Sequence, residues 1–240
     1  MSKKVELEQE PCFVLHRKFY DDDSVWLDCL TNNHGRVSIF ARGARRPHSV
    51  FGQALIPFQP LLVNASGSGL LRLISVEYVR ILPFLTDRRS WVALYVNELI
   101  MRLFPREYSC PDLFSLYCDT LEEIAQEDSD FFDAILRRFE IALLDILGYS
   151  LIFCVSGDIG GEIVPSNFYT YAIGSGFLSC TSDFLSGVVL SGQSLIDLSN
   201  GIVSIGNAYE VRNLMRHIID YHLDGYALKT RKMLQILVKR

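Results

Sequence analysis

The stretch Gly35-Arg36-Val37-Ser38-Ile39-Phe40-Ala41-Arg42-Gly43-Ala44-Arg45-Arg46 predicts a short strand that runs into a basic loop. Its first half has the alternation typical of a strand with one buried face, with Val37, Ile39 and Ala41 set against Arg36, Ser38 and Phe40. No Asp or Glu occurs between Cys29 and Val76, although the net charge of the chain is −5. A basic window in an acidic protein favours phosphate as its partner. An ordinary solvated loop that is rich in arginine is the alternative, and composition leaves both interpretations open.

Four more strands are predicted around this one, at residues 12–19, 25–30, 53–63 and 70–82. An Asn-Asn-His-Gly turn at 32–35 makes a hairpin with the basic strand. Pro57 and Pro60 interrupt the run 53–63, so we expect an edge or bent strand there. Five short strands in a row predict a small barrel, most typically an OB-fold. In that fold the loops between strands 1 and 2 and between strands 4 and 5 border the ligand face.

The periodicity becomes helical from residue 86 onward. A first helix, with large apolar residues every fourth position, ends at Pro105, and further helices are predicted at 111–125, 131–147, 208–223 and 227–238. Residues 151–207 are rich in Gly and Ser, with weak strand signals at F-Y-T-Y-A-I and G-V-V-L. We therefore predict an α+β chain with an OB-fold domain at 1–83 and a helical domain at 84–240. The helical domain contains a small irregular β-containing insertion at about 151–207.

Charge and hydropathy limit the class of protein. Hydrophobic residues make up 49% of the chain and charged residues 21%, as in a globular protein. Residues 1–85 carry 10 basic and 8 acidic side chains, a net +2, whereas residues 86–150 carry 6 and 13, a net −7. We therefore expect a polyanion to meet the first third of the chain. The first ten residues lack an apolar export segment, and the apolar stretch 141–155 is shorter than the ~20 residues of a membrane helix. A cytoplasmic protein that does not bind a membrane is expected.

The sequence predicts neither a metal centre nor a catalytic centre. Its six cysteines form no C-x-x-C pair and are expected to be reduced and buried. The motifs H-E-x-x-H, G-x-x-x-x-G-K-[ST] and G-x-S-x-G are absent. Gly157-Asp158-Ile159-Gly160-Gly161 is glycine-rich but follows no clear strand–helix unit, so it is not predicted to hold a nucleotide. We expect a protein that is not an enzyme and needs no cofactor.

Seven short motifs span nearly the whole chain. They are Val14-Leu15-His16, Thr31…Gly35-Arg36-Val37, Ala41-Arg42-Gly43-Ala44-Arg45, Leu55…Pro57-Phe58…Pro60-Leu61-Leu62, Tyr95…Asn97-Glu98-Leu99, Leu136-Arg137-Arg138-Phe139-Glu140…Leu143-Leu144…Leu147-Gly148-Tyr149 and Leu228-Lys229-Thr230-Arg231. Their order resembles the bacterial recombination mediator family RecO. The resemblance implies an N-terminal OB domain, a helical domain and, in some relatives, a four-cysteine zinc site. Only Cys154 and Cys180 lie in the corresponding region, so we expect no zinc here.

The resemblance also implies a function and partners. Members of the family bind single- and double-stranded DNA, anneal complementary strands, and act with RecR and single-stranded DNA-binding protein to load RecA. We therefore expect a DNA-binding recombination mediator and annealing protein, monomeric on its own and associated with the bacterial nucleoid. A protein–protein adaptor whose barrel does not bind DNA is the main alternative, which the net charge keeps open. A small hydrolase is a more distant one.

Arginine and lysine side chains of the barrel and the C-terminus are the candidate DNA contacts, because a guanidinium binds phosphate oxygens and stacks on bases. They are Lys18, Arg36, Arg42, Arg45, Arg46, Lys229 and Arg231, with Lys232 beside the last two. The C-terminal cations have an alternative role on the surface of the last helix. Phe40 and Phe51 are candidates for base stacking or for the barrel core, and Gly43 is expected to adopt a positive φ.

Arg137 and Arg138 are candidates for a partner site. The resemblance implies that the helical domain docks the acidic, phenylalanine-ended tail of single-stranded DNA-binding protein, and arginine suits its terminal carboxylate. The alternative is a surface ion pair between Arg137 and Asp133, four residues earlier on the same helix.

Overall fold

The computed structural model describes residues 4–49, 51–52, 54–83, 85–127, 131–151, 153, 161–180, 187–204 and 206–238. Its first five strands are β1 (Lys4–Phe19), β2 (Val25–Thr31), β3 (Gly35–Ala41), β4 (Leu61–Ser68) and β5 (Leu70–Tyr78). They close into a barrel in the order β1-β2-β3-β5-β4. Every pairing is antiparallel except that of β3 with β5. The five-stranded OB-like barrel predicted from the sequence is confirmed.

Strand β1 closes the barrel because it is long enough to pair on both sides. Cys12 lies opposite Thr31 of β2 and also opposite Leu61 of β4. The prediction placed the start of this strand at residue 12 and missed its first eight residues. Val5 and Leu7 face the core there and alternate with the exposed Glu6 and Glu8, a strand signal that the prediction did not use.

Strand β4 differs from the prediction, which placed it at 53–63. It begins only at Leu61, directly after Pro60. Proline has no N–H to donate to a sheet, so the two prolines keep the preceding segment out of the barrel wall. That segment turns instead and inserts Leu55 into the core. Strand β5 also ends before its predicted end at residue 82.

The hairpin between β2 and β3 depends on a glycine. Gly35 has a φ of +64°, in the left-handed region that favours glycine. A Cβ at this position would lie 1.9 Å from the backbone oxygen of Tyr108. From this turn β3 sends Val37, Ile39 and Ala41 into the barrel core, as the alternation predicts.

The helices are α1 (Asp87–Leu103), α2 (Pro111–Gln126), α3 (Phe132–Ile146), α4 (Gly192–Ser199), α5 (Ala208–His222) and α6 (Lys229–Val238). The chain packs as two compact units, Met1–Ala125 with Thr230–Arg240, and Gln126–Lys229. In the first unit Asn97 of α1 donates to the backbone oxygen of Leu15 at 2.7 Å. Tyr117 of α2 donates to the Asn97 side chain at 2.6 Å, so a buried polar chain ties both helices to β1.

The second unit contains a small antiparallel sheet made of β6 (Phe168–Ala172), β7 (Gly176–Cys180) and β8 (Val189–Ser191). The strand order is β7-β6-β8, and the predicted signals F-Y-T-Y-A-I and G-V-V-L correspond to β6 and β8. Helix α4 was not predicted, although Ser191 caps its first turn by accepting a hydrogen bond from the Ser194 N–H.

Most of the residues that were considered for a zinc site or a nucleotide site, and for which neither is predicted, are not described by the structure. Cys154 and residues 157–160 lie outside the described residues, and Cys180 ends β7. Over the described ranges no group of three or more His, Cys, Asp or Glu side chains is arranged to hold a metal ion. Nor does any helix in those ranges have the length and apolar character needed to cross a membrane.

Candidate nucleic-acid interface

Four side chains form a line across the outer surface of the barrel. Lys18 of β1 lies opposite Trp26 of β2, Trp26 opposite Phe40 of β3, and Phe40 beside Arg72 of β5. Side chains alternate between the faces of a strand, so Trp26, Phe40 and Arg72 point outward while their neighbours pack into the core, and Lys18 is exposed near the end of β1. Those core neighbours include Val25, Leu27, Ile39 and Leu71. We call the line the cross-strand row, and it places two aromatic rings between two cations.

An aromatic groove of about 570 Å³ follows this row. It is lined by Tyr20, Trp26, Phe40, Arg42, Leu70, Arg72 and Leu73. Tyr20 is 67% exposed and contacts Phe40 edge to face, with ring centroids 5.4 Å apart. Trp26 and Phe40 are half-buried, so each ring is held in place by the sheet while part of it stays accessible. Fixed aromatic rings can stack on unpaired bases, and the two arginines can bind the phosphates that link those bases.

A second depression, the cationic cleft, lies beside the end of β1. It has a volume of about 440 Å³ and is lined by Arg17, Phe19, Ala44, Arg45, Arg46, His48, Ser49 and Gly52. The guanidinium carbons of Arg17 and Arg45 lie 5.2 and 4.3 Å from the centroid of the exposed Phe19 ring. Both distances are within the range of a cation–π contact. The Phe19 ring therefore holds two cations beside the cleft, and both can attract an anion.

The basic loop has a defined backbone conformation. Gly43 has a φ of +69°, which confirms the positive value expected there. The Arg46 N–H donates to the Gly43 oxygen at 3.2 Å, and Ala44 packs into the barrel core. The Arg45 N–H donates to the Asp23 oxygen at 2.9 Å, which ties the loop to the turn between β1 and β2. The loop therefore presents Arg42 to the aromatic groove and its later arginines to the cleft.

The β1–β2 turn brings acidic side chains to a window that is free of them in sequence. Arg46 Nε lies 2.7 Å from Asp23 Oδ2, and Arg45 donates to the backbone oxygen of Asp21 at 2.9 Å. Desolvation tends to raise the pKa of the exposed Asp21 carboxyl, but hydrogen bonds from Asp23 and Ser24 and the charge of Arg45 lower it overall. The basic loop therefore has no acidic residue near it in sequence, but Asp21 and Asp23 lie beside it in the folded chain.

Arg36 does not face solvent, although it was predicted as a DNA contact. Its side chain is buried and donates to the backbone oxygens of Ile100, Met101 and Phe104, at 3.3, 2.8 and 2.6 Å. These carbonyls belong to the C-terminal end of α1, where backbone oxygens lack a full set of partners within the helix and the helix dipole favours a positive charge. Burial lowers the pKa of this guanidinium to about 10, against the opposing effect of Asp28. We therefore leave Arg36 out of the candidate DNA surface.

The two aromatic candidates also differ. Phe40 lines the groove, whereas Phe51 packs against the barrel core and is half-buried. Phe51 is therefore a residue of the barrel core, the alternative to base stacking that was considered for both phenylalanines.

The C-terminal cations lie at the start of α6. Thr230 donates its N–H and its hydroxyl to the buried Glu98 carboxylate of α1, at 2.9 and 2.6 Å. The Arg231 guanidinium lies over the Tyr95 ring at 5.9 Å. Two of the seven motifs thus meet in one structural contact, and this favours a packing role for Arg231. Lys229 is exposed.

The two arginines of α3 have different surroundings. Arg137 is buried and pairs with Glu140 at 2.7 Å, and Asp133 pairs with Arg212 of α5 at 2.6 Å. The predicted Asp133–Arg137 pair is therefore wrong. The Nε and one Nη atom of Arg137 are buried without a hydrogen-bond partner among the described residues, whereas Arg138 is exposed on the same helix.

Sequence reasoning missed several residues of the candidate surface. Arg17, Phe19, Tyr20, Trp26 and Arg72 all line one of the two depressions. The consecutive run Arg17-Lys18-Phe19-Tyr20 mixes cations with aromatics and was a usable signal. The approach of Trp26 and Arg72 to Phe40 depends on the strand register, which the sequence alone does not give.

Comparison with known proteins gives a consistent family. Residues 3–82 match the family model described as Recombination protein O N terminal, and residues 88–232 match Recombination protein O C terminal. A protein of Aromatoleum aromaticum named DNA repair protein RecO is 36% identical over 239 residues, which cover 99% of each chain. The protein of the same name from Azoarcus sp. is 34% identical over the full length of both chains, and that of Methylococcus capsulatus is 36% identical over 223 residues, 92% of this chain and 90% of its own.

Proposed function

The chain belongs to the RecO family of DNA repair proteins, and from that membership we propose that it binds single-stranded DNA in the aromatic groove of its barrel. A role in DNA repair and recombination follows from the family itself. The observation that carries the finer proposal is the cross-strand row, in which Trp26 and Phe40 lie between Lys18 and Arg72. In OB-folds the face of strands 2 and 3 is the usual site for oligonucleotides.

The half-burial of the two rings favours single strands over duplex. A base can stack on Trp26 or Phe40 only if it has left its own helical stack, since the rings lie in a groove and do not project. A single strand meets this condition at low cost, whereas a duplex must first be opened. Base–aromatic stacking contributes about 1–3 kcal/mol per base with little sequence preference. The groove is therefore suited to DNA of any sequence, and duplex DNA would bind through its phosphates alone.

This binding mode accounts for annealing without catalysis. A protein that binds phosphates with Arg42, Arg45, Arg46 and Arg72 lowers the repulsion between two complementary strands. No bond is made or broken, so no catalytic residue and no cofactor is required. We propose that the chain anneals strands and acts as a recombination mediator, with RecR and single-stranded DNA-binding protein as partners and RecA as the protein loaded.

The remaining proposals concern partners and location. Arg138 is the α3 arginine that is exposed, and we propose it as a contact for the acidic tail of single-stranded DNA-binding protein. Lys229 and Lys232 are exposed and remain secondary DNA candidates. We propose a monomer in the absence of partners, in the bacterial cytoplasm and at the nucleoid.

Intrinsic fluorescence tests the groove directly, because the chain has two tryptophans, Trp26 and Trp91. In a Trp91→Phe variant, Trp26 is the sole reporter. Stacking of a base should quench its emission over the same concentration range in which a labelled oligo-dT gains anisotropy. A blunt duplex of the same length should quench it much less. If anisotropy rises while Trp26 emission does not change, the DNA binds elsewhere. If oligo-dT does not bind even at low salt, the adaptor function replaces this proposal.

A further inference from the structure

The contact between Arg46 and Asp23 has a consequence for DNA affinity. The two side chains form a direct ion pair of 2.7 Å at the edge of the cationic cleft, and both are well exposed, 59% for Arg46 and 44% for Asp23. The guanidinium thus already holds an anionic oxygen at the distance that a phosphate oxygen would take. An exposed pair of this kind is weak and can be exchanged.

We propose that the Asp23 carboxylate is a built-in competitor of DNA phosphate for Arg46, and that it limits the affinity and salt dependence of the cleft. The inference rests on the proposed DNA binding. A strand that enters the cleft must displace Asp23 from Arg46 or leave Arg46 unused. A single small anion gains little from this exchange, whereas a DNA backbone brings several phosphates to the cleft and the groove at once. Asp23 therefore favours polyphosphate chains over isolated anions.

The hydrogen bonds that hold the turn at Asp23 do not use its carboxylate, so this charge can be removed without changing the turn. The Asp23 backbone oxygen accepts from the Arg45 N–H, and the Asp23 N–H donates to the Asp21 carboxylate at 2.9 Å. Both bonds use main-chain atoms of Asp23. An Asp23→Asn change removes the charge, retains the shape of the side chain and leaves the turn in place.

Ion release gives the inference a second, independent signature. In the native chain, phosphate binding by Arg46 frees a carboxylate, which attracts cations from solution. Phosphate binding by Arg46 therefore releases fewer ions in total than phosphate binding by an arginine without a carboxylate partner. Without the Asp23 charge, the slope of log affinity against log salt should become steeper, by up to about 0.7 where the native chain leaves Arg46 unused, the value for one phosphate of single-stranded DNA.

Asp22 provides a matched control. It is exposed, neighbours Asp23, and forms no ion pair or side-chain hydrogen bond with the described residues. Asp22→Asn changes the net charge by the same amount without affecting Arg46. Fluorescence anisotropy of labelled oligo-dT should be followed in a salt series for the native chain, Asp22→Asn, Asp23→Asn, Arg46→Ala and the Asp23→Asn/Arg46→Ala double variant.

The expected result is an affinity gain of up to about fivefold at low salt for Asp23→Asn, with the steeper slope. The gain should be larger than that of Asp22→Asn and should fall to the Asp22→Asn level when Arg46 is absent. Equal gains for the two Asn variants would overturn the inference in favour of long-range repulsion. A loss of affinity in Asp23→Asn would overturn it too, since Asp23 would then support binding. If the native chain fails to bind oligo-dT, the proposed function itself fails.

Discussion

Replacing Arg36 should lower the stability of the fold without changing the affinity for DNA. In Arg36→Ala, three backbone oxygens at the C-terminal end of α1 lose a charged donor that lies 2.6–3.3 Å away. Bonds to charged groups contribute about 1.5–3 kcal/mol each, but part of this loss is recovered as water reaches the carbonyls. Leaving a buried acceptor without its partner usually costs about 1–3 kcal/mol, and because three carbonyls are affected we expect a loss at the upper end of this range.

Urea unfolding followed by circular dichroism measures the loss as a lower midpoint at an unchanged slope. At a temperature where the variant stays folded, its affinity for oligo-dT should lie within about twofold of the native value, since a change of affinity that small is under 0.5 kcal/mol. Arg42→Ala is the matched control, because Arg42 is exposed and lines the aromatic groove. It should unfold within about 0.5 kcal/mol of the native chain and bind oligo-dT less tightly. A stable Arg36→Ala protein that binds DNA as weakly as Arg42→Ala would refute this reasoning.

Three further changes test other parts of the fold. Gly35→Ala should destabilise the fold more than Gly69→Ala. Both glycines have a positive φ, which costs an alanine about 1–2 kcal/mol, but only at Gly35 would the new Cβ overlap a backbone oxygen. Equal urea midpoints of the two variants would contradict the clash. Thr230→Val should cost about 1–2 kcal/mol by removing the hydroxyl bond to Glu98, also by urea unfolding, and an unchanged midpoint would show that the contact does not stabilise the fold. The pKa of Asp21 is lowered in the folded chain. Its carboxylate therefore stabilises the fold above the ordinary pKa of 3.8, and this stabilisation is lost as the pH falls through the folded pKa. Asp21→Asn should therefore flatten the acid limb of a curve of stability against pH. An acid limb identical to that of the native chain would contradict this assignment.

The barrel was predictable because its determinants are local. Alternation along β3, turn residues at 32–35 and the short apolar runs each identify a strand without reference to the rest of the chain. The errors lie where a local signal was present but was not followed. Val5 and Leu7 alternate with glutamates in the first half of β1, and Pro57 and Pro60 mark the segment before Leu61 that stays out of the sheet.

The candidate site was predictable only in part. Arg42, Arg45 and Arg46 share a loop, so their joint position follows from the sequence. Arg36 occupies an outward position of β3, but α1 covers it, and no local pattern reports which outward residues a distant helix will bury. Asp23 lies far from Arg46 in sequence and meets it because two neighbouring strand connections lie side by side.

The salt dependence of single-strand binding tests the central claim most directly. Anisotropy of labelled oligo-dT should be measured in a salt series for the native chain, for Arg42→Ala/Arg72→Ala and for Lys229→Ala/Lys232→Ala. If the aromatic groove is the DNA site, the groove variant should bind more weakly with a log–log slope shallower by about 1.4, two phosphate contacts at about 0.7 each. The C-terminal variant should keep the native slope. A native slope in the groove variant, with a shallower one in the C-terminal variant, would contradict the account and place the DNA at the start of α6.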